Sequence, residues 1–544
     1  MKINILFLAI AVISYSGIAQ TQNLANGGEV SSDFLRPGVV ITTMNFPGVT
    51  PVDLGSVDLP KKFDNFVIEG NSGALTSDFN KDLEAYDKEV EAYVSSISGK
   101  VMAELLYVEN GKADYNKVME RSKNSMTESQ RDVLKNLSGS LDAQAQSLLM
   151  EPMTGNNYVI VVSPTVITST QDKDGNTMYG TKLATSVYKV FMGQYEDENG
   201  NAIDAQGQIN QFTAAFDPDA SGVAAHVFPV KKIYSGIGGS ASGYDAATAA
   251  MINEKNKDKI IKIPALEFNN SVVQAAVLES SKAVDEFKTR SKVEEKMLIA
   301  LGSKEGLKVD DRYFSYEKQK DPETREMILV RKGIDRVKKV GNTEVDLVAD
   351  PNATVERTKL YGDGGKKTRT GYISMEAPEL GIGVSAFYRA NPGVRIDYRV
   401  GSLVGVPNLF VYVDAEFIQI SGDDYTYLLS TEGEAMTGDL NGFIGAVGLQ
   451  KNFNLGRMFA IAPFAQYAAY AQVADEDANE GDILANYAAG GLRIIIKLGP
   501  SIQLMPEVTY IYNLDDAIED VGLDITPTIY DKDLYIGGAL RFNF

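Results

Sequence analysis

The sequence predicts a multidomain α+β region followed by an antiparallel, eight-stranded, up-and-down β-barrel of the transmembrane kind. Three observations predict it: alternating strands fill the last third of the chain, their connections alternate short and long, and the chain ends on Phe544. In the terminal stretch Ile536, Gly538, Leu540, Phe542 and Phe544 share one face, while Tyr535, Gly537, Ala539, Arg541 and Asn543 share the other. Side chains alternate with a period of two along a strand, so one face suits lipid and the other a polar lumen.

The chain opens with Met1-Lys-Ile-Asn, an apolar run from Ile5 to Ile13, and Gly17-Ile18-Ala19. This is the layout of a secretory signal over residues 1–19, cleaved after Ala19. The run falls well short of the ~20 apolar residues that span a bilayer as a helix. The sequence has no cysteine, which excludes disulfides and a lipid-modified first residue. Residues 20–78 are expected to be an extended segment, punctuated by Pro37-Gly38, Pro47-Gly48, Pro51 and Pro60.

An α+β domain is expected over 79–299. Leu83, Tyr86, Val90, Tyr93, Ile97, Val101 and Leu105 recur every three or four residues, predicting an amphipathic helix. A weaker helix is predicted over 127–149. Tyr158–Thr170 and Met178–Met192 read as strands joined by Gln171-Asp-Lys-Asp-Gly-Asn176. Asp172, Asp174 and Asn176 have the spacing of calcium ligands, but the Gly comes early and the twelfth-position Glu of an EF-hand is missing. Ser235–Tyr244 is glycine-rich and reads as a loop; its Gly-Ile-Gly-Gly lacks the Lys-Ser/Thr ending of a phosphate-binding loop. Val273, Ala276, Val277, Ser280, Val284 and Phe287 predict a further helix over 270–289.

A small β-rich domain is expected over 300–376, from alternation in 306–316, 327–340 and 344–348. Leu301-Gly-Ser-Lys-Glu-Gly-Leu-Lys-Val-Asp-Asp-Arg-Tyr-Phe-Ser-Tyr-Glu317, then Val330-Arg-Lys-Gly-Ile334 and Leu380-Gly-Ile-Gly383, resembles uncharacterised exported outer-membrane β-barrel proteins of Bacteroidota. The resemblance covers about residues 290–544 and implies a fold and a location. It implies no catalytic residue.

The barrel occupies 377–544, with strands expected near 380–389, 393–401, 408–420, 442–453, 458–472, 484–498, 501–513 and 533–544. The connections at 402–407, 454–457 and 499–500 are short; those at 421–441, 473–483 and 514–532 are long. Outer-membrane barrels have short periplasmic turns and long outer loops, which places the preceding region in the periplasm. The first connection, Ala390–Gly393, is short on the outer side. Alternation turns Arg395, Asp397 and Arg399, Asp414 and Glu416, Arg493 and Lys497, Glu507, and Arg541 towards the lumen. An eight-stranded lumen is just wide enough to be filled by side chains, so these charges are expected to pair and plug it. Specifically, Arg493, Lys497 and Arg541 are expected to find partners among Asp397, Asp414, Glu416 and Glu507. Phe542 and Phe544 are the expected assembly signal.

Composition excludes several functions. The formal net charge of −21 leaves no footing for nucleic-acid binding. Each of the three long loops carries a net charge of −5. Their carboxylates, Asp475, Asp477, Asp515 and Asp516 among them, are weak candidates for divalent cations. The one histidine, His226, stands among small apolar residues outside the barrel, so neither a Ser-His hydrolase nor a His/Cys metal site is supported. No enzyme activity and no cofactor is expected. Three classes remain: a membrane anchor with a periplasmic region that binds a protein partner, a narrow channel, and a surface-attachment protein acting through its acidic loops. The expected partners are outer-membrane lipid, the barrel-assembly machinery and an unidentified periplasmic protein.

Overall fold

The computed structural model describes, with short interruptions, residues 34–109, 156–191, 227–244, 270–344, 356–420, 440–472, 483–514 and 534–544, plus a few two- and three-residue strands. The expected signal peptide, the 127–149 helix, the 172–176 ligand pattern, His226 and the carboxylates Asp475, Asp477, Asp515 and Asp516 lie outside the described residues. The chain divides into two compact units, Ser31–Thr289 with Lys304–Gly306, and Arg290–Ser303 with Leu307–Phe544 and Met1–Val30.

The first unit is built on a mixed sheet of β1 (Gly38–Asn45), β2 (Asp64–Val67), β3 (Asn157–Pro164), β4 (Thr177–Val190) and β5 (Val230–Tyr244), in the order β5-β4-β3-β1-β2. β1 runs parallel to β2 and β3; β4 is antiparallel to β3 and β5. Every residue of β1 and β3 is buried, because helices cover both faces. α1 (Leu83–Leu105) packs Val90, Val94 and Val101 on the face that carries Val40, Val159 and Val161. α2 (Asn270–Ala283) packs Val273, Ala276 and Val277 on the other, against Val39, Ile41 and Ile160. Asp82 caps α1 by accepting the Ala85 amide at 3.0 Å, satisfying one free donor of the first turn.

Two expectations are corrected here. Gly38–Asn45 is the strand between β2 and β3, not part of an extended segment ending at 78. A strand buried on both faces is a continuous apolar run and carries no alternation to announce it. The glycine-rich Ser235–Tyr244 is likewise strand, paired residue by residue with β4 and bulged between Ile237 and Ser240. Gly238 and Gly239 admit α2: a Cβ on Gly239, where φ is +77°, would lie 2.8 Å from the Val272 carbonyl.

The second unit opens with an antiparallel sheet of β6 (Arg290–Lys292), β7 (Leu298–Ile299), β8 (Arg312–Lys320), β9 (Met327–Lys339), β10 (Thr358–Gly365) and β11 (Ile373–Glu376), in the order β6-β11-β8-β9-β10-β7. The sheet therefore begins about ten residues before the expected boundary at 300. Thr21–Gln22 adds a short antiparallel stretch along Leu329 and Val330 of β9.

The chain then forms a closed, antiparallel, eight-stranded barrel from β12 (Ile382–Tyr388), β13 (Pro392–Arg399), β14 (Leu409–Ile420), β15 (Leu440–Lys451), β16 (Phe459–Gln472), β17 (Ile483–Lys497), β18 (Ile502–Asn513) and β19 (Leu534–Asn543). Each strand pairs with its sequence neighbours, and β19 pairs with β12 to close the ring. All eight lie within two residues of the expected bounds. No helix among the described residues is long and apolar enough to cross a membrane.

Candidate functional site: the barrel interior and its short-turn mouth

Alternation sorts the barrel side chains into two populations. Val394, Ile396, Tyr398, Val413, Phe417, Val447, Leu492, Ile494, Val508, Ile536 and Leu540 are exposed on the outside. Arg395, Asp397, Asp414, Glu416, Arg493, Lys497, Glu507 and Arg541 are buried inside, with Arg399 largely so. Phe544 is exposed, and its amide donates to the Ile382 carbonyl at 2.9 Å, joining the last residue to the start of β12. Phe542 is half-buried on the same face.

The buried charges form a connected network. Arg395 holds Asp414 through two bonds of 2.6 and 2.7 Å; the two residues are direct cross-strand neighbours on β13 and β14. Arg493 and Glu507 are cross-strand neighbours on β17 and β18, and Arg493 Nε donates to Glu507 at 2.8 Å. Glu507 also accepts from Arg389 Nε at 2.9 Å and Arg395 Nη1 at 3.4 Å, so three guanidiniums converge on one carboxylate. Arg389 lies 3.8 Å from Glu416 and 3.7 Å from Asp414. Aromatic rings pack among these charges. The Arg493 guanidinium sits 3.7 Å from the Phe464 ring centroid and 4.7 Å from that of Tyr412. Arg395 lies between Phe387 and Tyr412, at 5.0 and 4.9 Å. Guanidiniums over ring faces gain from the ring quadrupole, and here they do so away from water.

Arg541 reaches Asp397 across an intervening strand. β12 runs between β19 and β13, and Gly383 stands where the two side chains meet. Arg541 Nε donates to Asp397 at 2.8 Å. A Cβ on Gly383 would lie 2.4 Å from that nitrogen and 2.6 Å from the carboxylate oxygen, so the pair exists because the position has no side chain.

At the short-turn end the interior meets the sheet that precedes the barrel. Lys497, expected to pair with Asp397, Asp414, Glu416 or Glu507 of the barrel strands, instead forms its ion pair with Asp363 of β10, at 2.5 Å. Asp363 lies far away in sequence and outside the eight barrel strands, so their alternation gives no sign of it. Arg399 lies 3.6 Å from Asp310 and 3.7 Å from Glu379. Asp310 accepts the Asn408 amide at 2.6 Å and the Tyr361 hydroxyl at 2.8 Å. Arg457, in the turn between β15 and β16, enters a slot between β9 and β10. There it donates to the Gly364 carbonyl at 2.8 Å, to Asp335 at 2.5 Å and to Thr368 at 2.8 Å. A Cβ on Gly333 or Gly362 would come within 2.7 Å of its guanidinium.

Two of the carboxylates at this mouth, Glu379 and Asp363, are held charged. Burial works to raise Glu379, but the guanidiniums of Arg336, Arg399 and Arg312 outweigh it and hold the group down at about 2. Burial likewise opposes ionisation of Asp363, and Lys497, Arg336 and Arg399 prevail, keeping it well below the usual carboxylate range. Asp311 behaves oppositely: burial pushes it up to about 6, and the Lys308 amide offsets this only in part.

The sequence singled out every charged lumen residue above except Arg389. That residue shares the inward parity of Gly383, Ser385 and Phe387, which is the signal that finds it. No cluster of His, Cys, Asp and Glu among the described residues is arranged to hold a metal ion.

No family model matches the chain. No curated protein matches it. Among solved structures, it is similar to the N-terminal β-barrel domain of Pseudomonas aeruginosa OprF, with 11% identity over 30% of this chain and 98% of that one, at a TM-score of 0.20. It is also similar to Ail, the attachment invasion locus protein of Yersinia pestis, with 12% identity over 30% and 94%, at 0.16. A loop-deletion mutant of OmpT, an outer membrane protein of Vibrio cholerae, matches with 10% identity over 71% and 98%, at 0.14. At these scores none of them carries an assignment.

Proposed function

We propose that the chain is a non-enzymatic outer-membrane protein whose barrel is a non-conducting anchor for a large periplasmic region that binds a protein partner. The observation that carries this is the buried network inside the barrel: Arg389, Arg395 and Arg493 converge on Glu507, with Phe387, Tyr412 and Phe464 packed around them. A membrane location is supported by the apolar outer face, because burying that face in hydrocarbon is favourable while charges there would each cost ~2–4 kcal/mol. The alternation of short and long connections supports an orientation with the short turns, and the region before the barrel, in the periplasm.

The full chain in planar bilayers tests the anchor directly. The expected result is barrel insertion without steady single-channel current. Steady currents from the unmodified protein would move the assignment to a narrow channel. Crosslinking from the periplasmic side in intact cells then identifies the partner; recovery of the chain alone would remove the partner-binding role.

A further inference from the structure

We propose that the turn Lys366–Tyr372, between β10 and β11, binds anionic phospholipid headgroups of the leaflet at the barrel's short-turn end. The proposal rests on the reading of the barrel as membrane-spanning.

Two features meet at this place. The first is apolar. Short turns that face water are ordinarily polar, yet here Leu403, Val404, Leu455, Met458 and Leu498 are all more than half exposed at the turns of the short side. Exposed aliphatic groups at successive turns gain from being covered by lipid, which would carry the acyl boundary past the strand ends and onto the turns.

The second is basic. Lys366, Lys367 and Arg369 are exposed, and none of the three is in an ion pair among the described residues; the carboxylate that feels Arg369, Glu317, is paired with Lys332 at 3.0 Å. The run Lys366-Lys-Thr-Arg-Thr-Gly-Tyr372 contains no acidic residue, in a chain whose net charge is −21. Its position is fixed against the barrel. Thr368, between the basic residues, is buried and accepts from Arg457 at 2.8 Å, while the Lys366 carbonyl lies beside Gly333 in the same slot. Arg457 belongs to the turn that carries exposed Leu455. The Gly371 amide donates to the Val293 carbonyl at 2.8 Å, and Gly371 takes a φ of +91°, so the turn is built rather than loose. Three ammonium and guanidinium groups thus stand within two residues of Thr368, which is hydrogen-bonded to the turn that carries Leu455. The complementary group available there is the headgroup phosphate. Arg is suited to hold it bidentately and Lys as a point charge.

The test uses the full chain in nanodiscs of equal phosphatidylglycerol and phosphatidylcholine, with retained lipids counted by native mass spectrometry. Each basic residue at a headgroup layer is worth about fivefold in partitioning to anionic lipid. The unmodified protein is expected to retain phosphatidylglycerol in clear excess, and the excess to shrink in high salt as screening shortens the field. Lys367→Gln is expected to reduce the excess about fivefold, and the triple variant Lys366→Gln, Lys367→Gln, Arg369→Gln to abolish it. Lys366→Arg with Lys367→Arg should preserve it. Equal retention of the two lipids by an inserted protein, or an excess that survives the triple variant, overturns the proposal. Heat-modifiable migration in gels reports insertion separately. A chain that never inserts defeats the membrane reading and this inference with it, whereas an inserted chain without selectivity defeats the inference alone.

Discussion

At the scale of single residues, the barrel interior depends on where side chains are absent as much as on where they are charged. Gly383 lets Arg541 and Asp397 meet across β12. Gly383→Val should separate them, and leaving buried charges unpaired costs about 3–5 kcal/mol. The expected outcome is a markedly lower temperature for loss of the compact form in heat-modifiability gels. Gly445→Ala is the control: it lies on the exposed face of β15 with no atom near its would-be Cβ, and should leave that temperature unchanged. Arg541→Ala should weaken the barrel as Gly383→Val does, since it strands Asp397. The signal for Arg541 was legible in the sequence, because a period of two assigns it a face. That Gly383 is its gate was not, because the contact spans three strands.

At the scale of elements, the sheet of 290–377 and the short-turn mouth are joined by Arg457, Lys497, Arg399 and the carboxylates Asp310, Asp335, Asp363 and Glu379. Arg457→Ala should leave the barrel closed while amide hydrogen exchange accelerates in β9 and β10, whose facing groups lose their donor. Protons should act on the same joint. Glu379 is held at about 2 in the folded protein, below its ordinary value near 4.5, so its contribution is fully present above pH 4.5 and is lost as pH falls towards 2. By linkage that is roughly 3 kcal/mol, read as acid-induced exchange in the same strands. Asp311 has the opposite sign. Its folded value of about 6 exceeds the ordinary 3.8, so stability declines as pH rises from about 4 to about 6. Asp311→Asn should flatten that decline in thermal melts.

At the scale of the whole molecule, the two ends of the barrel differ in kind. The short-turn end carries the sheet and exposed apolar turns; the three long connections each carry a net charge of −5 in the sequence. In the proposed orientation, protease added to intact cells should cut near residues 430, 478 and 522 and spare the region near 240. Cleavage near 240 with the outer membrane intact would reverse the topology. Deleting Phe544 should lower the amount of assembled barrel in membrane fractions. The deletion removes both an exposed aromatic and the amide that closes onto Ile382.

The eight barrel strands, their bounds to within two residues and their inward charges other than Arg389 followed from the sequence alone. A barrel with one apolar and one polar face imposes a period of two on every strand, and that period survives in one dimension. The same logic failed where its premise failed: Gly38–Asn45 is buried on both faces, and Gly238 and Gly239 of β5 serve a helix rather than a turn. Which charges pair was decided only by tertiary structure. Arg395 and Asp414 are neighbours by register, but Lys497 reaches back to Asp363, Arg457 to Asp335, and Arg541 across β12 to Asp397. Alternation fixes the direction in which a side chain leaves its strand. The partner it meets depends on ring closure and on the packing of the sheet against the mouth, neither of which has a periodic trace in the chain.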